Sequence, residues 1–594
     1  MKIKLTRREL LQKSLAGLGA LSLPVALTAC GDDNENNIEN GKENSLKVEF
    51  LHGVASGDPL HDRVILWTRV TPNDTTAHLE IVWEISADQE FKQLIGTGKV
   101  QTTAAQDFTV KVDADRLQAG ANYYYRFRFG KTISPVGQTK TLALRSDQVK
   151  FAICSCSNYP AGYFHVYKEM AQENNLDAII HLGDYIYEYG EGEYATEDAE
   201  ALGRGFAADN NKEIIQLDDY RKRYALYRTD LDLQAAHQRH PFIVIWDDHE
   251  LSNDAWQEGA ANHQESEGSF IERQIAALKA YFEWMPIRPV AENDHLNIYR
   301  QFDFGGLVNL MMLDTRILAR HKQLDYADYM TATGMDAARF MADLSSNSRS
   351  LLGVKQLQWL QAQLMQSTAK WNVLGQQVLM SKMFIPQELL LLLEQVTSGN
   401  ATVETLAQIK QKIADLLTLK MRLKAGDPTL SAMDKARLST VAPYNLDAWD
   451  GYAYEREVVY GTLQQLGKKA VVLAGDTHNA WASSLHPQNS NHVVGVELAT
   501  SSVSSPGIEY YLNVTAAEMA ELEYAFKELI DELNYCNLNQ RGYLTVAFDH
   551  TQVVADWKFV NTVKASEYKL DEIRAHQMTY DVQLNPIIDV AKSA

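Results

Sequence analysis

The chain contains 594 residues, with 56 Lys and Arg against 77 Asp and Glu, so its formal net charge is −21. Its 45% hydrophobic and 22% charged residues are typical of globular proteins and exclude both wholesale disorder and a polytopic membrane protein. The acidic balance argues against a nucleic-acid-binding surface, which would need basic stripes. Four cysteines in so long a chain exclude a disulfide framework, so we expect two or three domains held by their cores.

The N-terminus is predicted to be an export signal rather than part of the fold. Residues 6–11 (TRRELL) resemble a twin-arginine signal, and residues 27–30 (LTAC) resemble a bacterial lipobox that ends the signal at residue 29. Cys30 would then be lipidated, and the polar residues 30–46 would form a flexible tether. The sequence therefore predicts export by the twin-arginine route and a lipid anchor at Cys30 in a bacterial membrane, facing the periplasm or the cell exterior.

Residues 47–147 are predicted to form a small all-β domain. Residues 64–68, 79–85 and 123–129 have the composition of strands, and the last two alternate with period two. Turn signals such as Gly-Asp-Pro at residues 57–59 separate them. About seven short strands in roughly 100 residues favour a sandwich of the fibronectin or immunoglobulin kind.

From residue 148 to residue 594 the pattern changes to α/β. Short apolar strands alternate with helical stretches, which is typical of sheets covered by helices. The predicted strands are residues 151–154, 178–182, 242–246, 307–313, 371–380 and 470–474. Helical spacing also marks residues 162–174 and 518–532, and it predicts a helical insertion at about residues 384–438.

Ligand-type side chains follow several of these strands. Asp184 and Tyr187 lie three residues apart, residues 247–253 (DDHELSN) gather further donors, and Cys156 follows another strand. Asp476 and His478 lie two apart, so on an extended segment both would face one side. Because ligands bind at the carboxyl ends of strands in open α/β sheets, we expect these groups to converge.

The donor types indicate a reactive metal site rather than a structural one. Oxygen, nitrogen and sulfur donors without a closed Cys₄ or Cys₂His₂ set argue against structural zinc. Phenolate and thiolate ligands suit Fe³⁺, whereas all-oxygen positions suit Ca²⁺ or Mg²⁺. Two cations bridged by a carboxylate would bind phosphate and lower the pKa of a bound water, so no protein nucleophile would be needed.

The ordered motifs carry a family resemblance. Residues 155–156 (SC), 183–188 (GDYIYE), 246–250 (WDDHE) and 475–478 (GDTH) resemble, in this order, the core motifs of PhoD-type alkaline phosphatases, a branch of the metallophosphoesterases. Residues 50–59 (FLHGVASGDP) resemble the start of that family's N-terminal β domain. The resemblance covers most of the mature chain. It implies an α/β fold with a two-sheet αββα core, preceded by the small all-β (fibronectin/immunoglobulin-like) sandwich domain.

The resemblance also implies the cofactors, an Fe³⁺ ion with Ca²⁺ beside it, with another divalent metal as the alternative. By position, the iron ligands would be Cys156, Asp184, Tyr187 and His478, with Asp184 as the bridge. The divalent site would be held by Asp248, Asn253 and Asp476. His249 matches a phosphate-binding or acid histidine, and Arg273 matches an arginine that grips phosphate, as a guanidinium fork does well.

The implied activity is hydrolysis of small phosphate esters, both monoesters and diesters, with an alkaline optimum and a role in phosphate scavenging. Water or hydroxide held by the metals would attack phosphorus in line. Two alternatives are a phospholipase D-like phosphodiesterase that uses the same site and a non-catalytic surface-binding lipoprotein. The intact set of Asp184, Asp248, Asp476 and His478 argues against the binding protein, which would not need all four.

Overall fold

The structure is a computed structural model that describes residues 46–291, 294–332, 334–390, 392, 402–512 and 515–587. The predicted signal over residues 1–29, the lipidation site Cys30 and residues 30–45 of the tether lie outside the described residues. Every helix in the described part of the chain is too short or too polar to cross a membrane.

Two large sheets form the centre of the described residues, and the first of them includes strands from the N-terminal region. The first has nine strands in the order His576–Asp581, Gln552–Val560, Arg541–Asp549, Gln148–Cys154, Ala178–His181, Phe242–Val244, Val54–Gly57, Val64–Arg69 and Thr109–Ala114. The second has seven in the order Arg300–Phe304, Val308–Met312, Trp371–Gly375, Ala470–Ala474, Gly495–Ala499, Ala480–Leu485 and Leu533–Asn537. The central strands of each sheet are parallel, so their carboxyl ends lie at a common edge.

The two sheets pack face to face. Phe151 of the first sheet lies 4.8 Å, ring to ring, from Phe304 of the second, and Val373 and Val471 belong to the same buried core. A second core lies on the other face of the seven-stranded sheet. In the part of the chain that the structure describes, the α-helices include His165–Gln172, Leu217–Tyr227, Leu231–Arg239, Phe270–Trp284, Ala337–Leu344, Gly353–Gln366, Val403–Lys424, Ala432–Ser439, Ala453–Gln465, Ile508–Leu512 and Ala516–Leu529. The predicted two-sheet α/β core is thus confirmed.

The N-terminal region is rich in β-structure, as predicted, and it shares a sheet with the rest of the chain. Its own sheet contains Gly137–Lys140, Asn122–Phe129, Leu79–Ser86 and Leu94–Thr102, with Thr132–Ile133 paired to the second of these. The facing layer is formed by Val54–Gly57, Val64–Arg69 and Thr109–Ala114, which are the last three strands of the nine-stranded sheet. The junction is the parallel pairing of Gly57 with Phe242. One layer of the sandwich therefore continues the nine-stranded sheet.

Short strand pairs complete the described fold. They are Val48–Glu49 with Thr71–Pro72, Met330–Thr331 with Gly334–Met335, and Phe384–Pro386 with Val441–Pro443. The last pair closes the base of the predicted helical insertion, whose long helix Val403–Lys424 forms ion pairs with Ala516–Leu529 and the residues after it.

Candidate metal centre

The predicted ligands converge at the carboxyl ends of the parallel strands. Three groups have ligand atoms within 4.8 Å of one another: Cys156, Asp184 and His478; Asp184, Asp248 and His249; and Asp247, Asp248 and Asp476. We call the first the cysteine group and the third the aspartate group. Asp184 and Asp248 form the middle group with His249, so the ligands make one continuous cluster rather than two separate sites.

Four predicted ligands have backbone conformations that only a few non-glycine residues adopt. Cys156, Asp184, Asp476 and His478 have φ angles of 61°, 56°, 64° and 62°. Left-handed backbone at such residues costs on the order of 1–3 kcal/mol each and is concentrated at functional sites. Here it turns each side chain out of the strand direction and towards the cluster.

Glycines allow the ligand loops to approach closely. A Cβ atom on Gly183, just before Asp184, would lie 2.4 Å from the Cβ of Asp247. A Cβ on Gly475 would lie 2.6 Å from the Ser155 hydroxyl. The Gly-Asp pairs at two strand ends are therefore explained by packing between neighbouring loops as well as by the ligand that follows.

The phenol of Tyr187 lies against two members of the cysteine group. The Tyr187 oxygen lies 3.1 Å from Asp184 Oδ2 and 3.1 Å from His478 Nε2, and it accepts a 2.7 Å hydrogen bond from the Ser505 hydroxyl. His478 Nδ1 lies 2.7 Å from the Pro506 carbonyl, to which only an N–H can donate. This contact leaves the lone pair on Nε2, facing the other donors, which is the arrangement of a metal-ligating histidine.

The raised pKa values of the predicted ligands indicate that a bound cation would be needed to keep them ionised. Burial raises the pKa of the Cys156 thiol and of the Tyr187 phenol well above their ordinary values. Burial also raises the pKa of Asp184 and of Asp476, and the neighbouring Asp247 and Asp248 add to the rise. In the described part of the chain, Asp184 Oδ1 and Asp247 Oδ2 are buried without a hydrogen-bond partner. A bound cation would satisfy these oxygens and favour the thiolate and phenolate forms.

The aspartate group surrounds a buried arginine. Arg316 is 1% exposed and forms an ion pair with Asp247, and its Nη2 lies 3.0 Å from Asp476 Oδ1 and 2.7 Å from Asp447 Oδ2. Burial works in the opposite direction, but Arg316 and then His249 lower the pKa of Asp248 to about 2. One protein cation therefore compensates part of the negative charge of this group.

His249 is held by a second buried carboxylate. Its Nδ1 donates to Glu188 Oε2 over 2.7 Å, and its ring stacks on Tyr187 with the centroids 4.2 Å apart. Glu188 also accepts from the Asn253 backbone N–H at 2.7 Å and from the Asn262 side chain at 2.9 Å. These contacts fix the imidazole so that Nε2 is the atom left for a ligand.

Arg273, which is predicted to grip phosphate, is held by acceptors of the protein itself. Nε donates to the Tyr220 hydroxyl, Nη1 contacts the Asn262 carbonyl and His263 Nδ1, and Nη2 donates to Glu213 and the Ile214 carbonyl. Five contacts occupy the five N–H groups of a guanidinium that is 1% exposed. In this arrangement the guanidinium has no N–H left for a phosphate and joins Tyr220 to Glu213 and Asn262. The phosphate-binding role of Arg273 therefore has no support in these contacts and stays a prediction.

Asp476, His478 and Asn253 were also predicted to be ligands. Asp476 and His478 do not share one side of an extended segment, because both have left-handed backbone and a turn bond joins Thr477 N–H to the Gly475 carbonyl. They fall into different groups. The backbone of Asn253 donates to Glu188, and the structure shows no contact that tests its side chain as a metal ligand, so that assignment stays a prediction.

Several residues at the site were not assigned from the sequence. Arg316 follows the strand Val308–Met312, so the strand-end rule applied to that strand would have marked it. Asp447 gives no local signal, because its loop reaches Arg316 across 131 positions of the chain. Glu188 and Glu250 lie within the sequence motifs. The sequence alone, however, does not distinguish a buried glutamate that binds backbone N–H groups from an exposed one.

Comparison with known proteins gives one consistent result. Residues 151–557 match the model described as PhoD-like phosphatase, and residues 35–143 match the model of the PhoD-like phosphatase N-terminal domain. The chain is 34% identical over 535 residues to "Alkaline phosphatase D" of Bacillus subtilis (strain 168), covering 87% of this chain and 79% of that protein. A solved structure titled "Structure of PhoD" matches with a TM-score of 0.70 and 30% identity over 91% of this chain and 92% of that one.

Proposed function

The chain belongs to the PhoD-like phosphatases and is a phosphoesterase hydrolase, and from that premise we propose that it hydrolyses phosphate monoesters and diesters in a metal-dependent reaction after export. The observation that carries the metal dependence is the position of Asp184. Its carboxylate belongs both to the group with Cys156 and His478 and to the group with Asp248 and His249. One carboxylate shared by two ligand groups is the arrangement that brings two cations close together.

The donor chemistry supports different ions at the two ends of the cluster. Thiolate, phenolate and imidazole donors in the cysteine group suit Fe³⁺. The carboxylates of the aspartate group suit Ca²⁺, with Asn253 as the further predicted ligand. When bound, such ions neutralise charge on a phosphoryl group and make water more acidic.

The protein's own residues complete the proposed site. His249, held by Glu188, would donate a hydrogen bond or a proton from Nε2 to an ester oxygen. Arg316 keeps Asp247 and Asp476 in place. A cavity of about 830 Å³ opens beside Asp447 and Asp476 and is also lined by Trp256, Tyr326 and Tyr444. Its size supports the acceptance of esters with large substituents, which favours diesters as well as monoesters.

The test uses p-nitrophenyl phosphate and bis-p-nitrophenyl phosphate as substrates. We expect release of p-nitrophenol from both, loss of the activity on removal of metals, and recovery on adding iron and calcium together. Elemental analysis of the untreated protein should find both metals, with a visible phenolate-to-iron band. Full activity in protein shown to be metal-free would overturn the proposal. Metal content without turnover of either ester would favour the binding lipoprotein, and turnover of the diester alone would favour the phosphodiesterase.

Export and anchoring form a separate part of the proposal, supported by residues 6–11 and by Cys30 in their sequence context. In a bacterial host, the protein should label with palmitate and sediment with membranes. A C30S variant should lose the label, and replacing Arg7 and Arg8 with Lys should retain the precursor inside the cell. Labelling of C30S at the wild-type level would show that the anchor is elsewhere.

A further inference from the structure

Glu250 is a buried carboxylate that accepts hydrogen bonds from backbone N–H groups at the metal centre. Its Oε2 accepts hydrogen bonds from the backbone N–H of Asp184 at 3.0 Å and of Asp247 at 2.8 Å. Its Oε1 accepts from the N–H of Tyr185 at 2.6 Å. The side chain is 3% exposed. Three backbone donors from two separate ligand loops thus meet on one side chain.

These three backbone N–H groups lie beyond the ends of the strands and form no hydrogen bond within a sheet. The strands before them end at His181 and Val244, and the chain then turns, with left-handed backbone at Asp184. A buried N–H beyond the ladder must find an acceptor elsewhere, because leaving it unpaired costs about 1–3 kcal/mol. A carboxylate can accept several such bonds, and an ionised one accepts them strongly.

The shared oxygen links the two loops directly. Oε2 binds the loop of Asp184, which contributes to the cysteine group, and the loop of Asp247, which contributes to the aspartate group. A shift of this one atom therefore changes the spacing between the two groups. We propose that Glu250 is a positioning residue that sets the separation of the two metal-ligand groups, an inference that rests on the metal site of the proposed function.

The choice of residue supports positioning over simple filling of the core. A third acid beside Asp184 and Asp247 adds like charge to a buried site, which folding alone would not favour. Glutamine has nearly the same shape, but one end of its amide carries N–H donors. If its oxygen took the position of Oε2, its NH₂ group would face the Tyr185 N–H, so only two of the three contacts would survive.

A second buried glutamate offers a matched control, because its hydrogen bonds are made outside the ligand groups. Glu455 is 5% exposed and accepts hydrogen bonds from the Leu351 and Leu352 N–H groups at 2.5 and 2.9 Å and from the Ser350 hydroxyl at 3.0 Å. It has the same chemistry and a similar number of bonds. It holds the start of the helix Gly353–Gln366 and contacts none of the three ligand groups.

The experiment compares E250Q and E250A with E455Q and E455A in the full chain. The readouts are bound iron and calcium per protein, the chelator concentration that removes half of each metal, the visible band and the melting temperature. We expect E250Q to lower resistance to chelator for both metals together by about 10–100-fold, as outer partners of ligands do, and E250A to lower it further. E455Q should lose comparable thermal stability and keep wild-type metal retention.

Each outcome decides between alternatives. If the E250 variants melt earlier but hold both metals as tightly as the wild type, the positioning role is wrong and Glu250 only stabilises the fold. If E250A fails to fold, E250Q and E250D carry the same comparison. Loss of one metal alone would overturn the linking role. If the wild-type protein holds no metal, the proposed function fails and the inference with it, whereas metal-retaining variants of a metal-containing protein overturn the inference alone.

Discussion

The cysteine group and the aspartate group lie side by side but manage buried charge differently. Outside the ligand groups, the hydrogen-bond partners of Cys156, Tyr187 and His478 are neutral, such as the Ser155 and Ser505 hydroxyls and the Pro506 carbonyl. The aspartate group instead surrounds Arg316, which forms ion pairs with Asp247 and Asp476. The first group therefore depends on an ion to become charged, whereas the second keeps part of its charge balance without one. The two groups should respond differently when a ligand or the arginine is changed.

The largest effect on metal content and activity is expected at Asp184, because this residue belongs to two of the ligand groups. D184N removes a charge from the cysteine group and from the group with Asp248 and His249. We expect both metals to be lost and phosphatase activity to fall by about 1,000-fold or more, roughly 4 kcal/mol of activation free energy. Plasma emission analysis and p-nitrophenyl phosphate turnover measure the two effects.

The control for D184N is D450N. Asp450 is 1% exposed and pairs with Arg456, so its replacement also perturbs a buried acid, but outside the ligand groups. D450N should lower stability and leave metal content unchanged. A D184N protein that keeps both metals would show that Asp184 does not join the two groups.

A smaller effect should separate the groups. C156S removes the soft donor of the cysteine group and leaves Asp247, Asp248 and Asp476 unchanged. We expect iron and the visible band to be lost while calcium is retained, with activity reduced on the order of 100-fold, which corresponds to about 2.7 kcal/mol. C536S is the control, because Cys536 is buried in the core of the seven-stranded sheet. Loss of calcium together with iron in C156S would show that the groups do not act separately.

The two groups also show which features of the site can be predicted from the sequence. The alternation of strands and helices predicts the two-sheet core, because burial on both faces leaves a local pattern at each strand. The convergence of Cys156, Asp184, Asp248 and Asp476 follows from one topological rule about strand ends. The features that could not be predicted depend on backbone conformation and on contacts between residues far apart in the sequence. Left-handed backbone at Asp476 and His478 sends two neighbouring side chains to different groups, although period-two reasoning places them together.

Arginines show the same limit most clearly. Arg273 matches a family position, yet all its N–H groups are taken by protein acceptors. Arg316 belongs to none of the sequence motifs, yet it lies among the ligands. Whether a guanidinium is free or committed depends on partners such as Glu213 and Asp447 that lie far along the chain. No local pattern records that commitment.

An intermediate effect tests the charge balance of the aspartate group. R316M leaves Asp247, Asp447 and Asp476 without their shared cation, so their carboxylates should bind additional divalent ions while losing their fixed orientation. We expect more calcium per protein and activity about 10–100-fold lower, the range for residues that orient ligands. R316K restores a charge without the planar fork and should recover only part of the activity. Unchanged calcium content and activity in R316M would remove Arg316 from the description of this group.

The smallest effect on catalysis is expected at Arg273. Its replacement tests whether the family position or the contacts in this structure indicate the role of an arginine at the site. R273K keeps the charge but supplies three donors in place of five. At least two of the five partners therefore lose a hydrogen bond; these partners are Tyr220, Asn262, His263, Glu213 and Ile214. A loss of about 1–3 kcal/mol in the free energy of unfolding should follow, because the acceptors left unpaired are buried or partly buried. The KM for p-nitrophenyl phosphate should stay within about twofold of the wild type, since a residue with no free N–H cannot bind the substrate's phosphate. Chemical denaturation and steady-state kinetics on the same preparation give both quantities. A tenfold rise in KM without loss of stability would return the phosphate-binding role to Arg273 and would mean that its contacts rearrange when substrate binds.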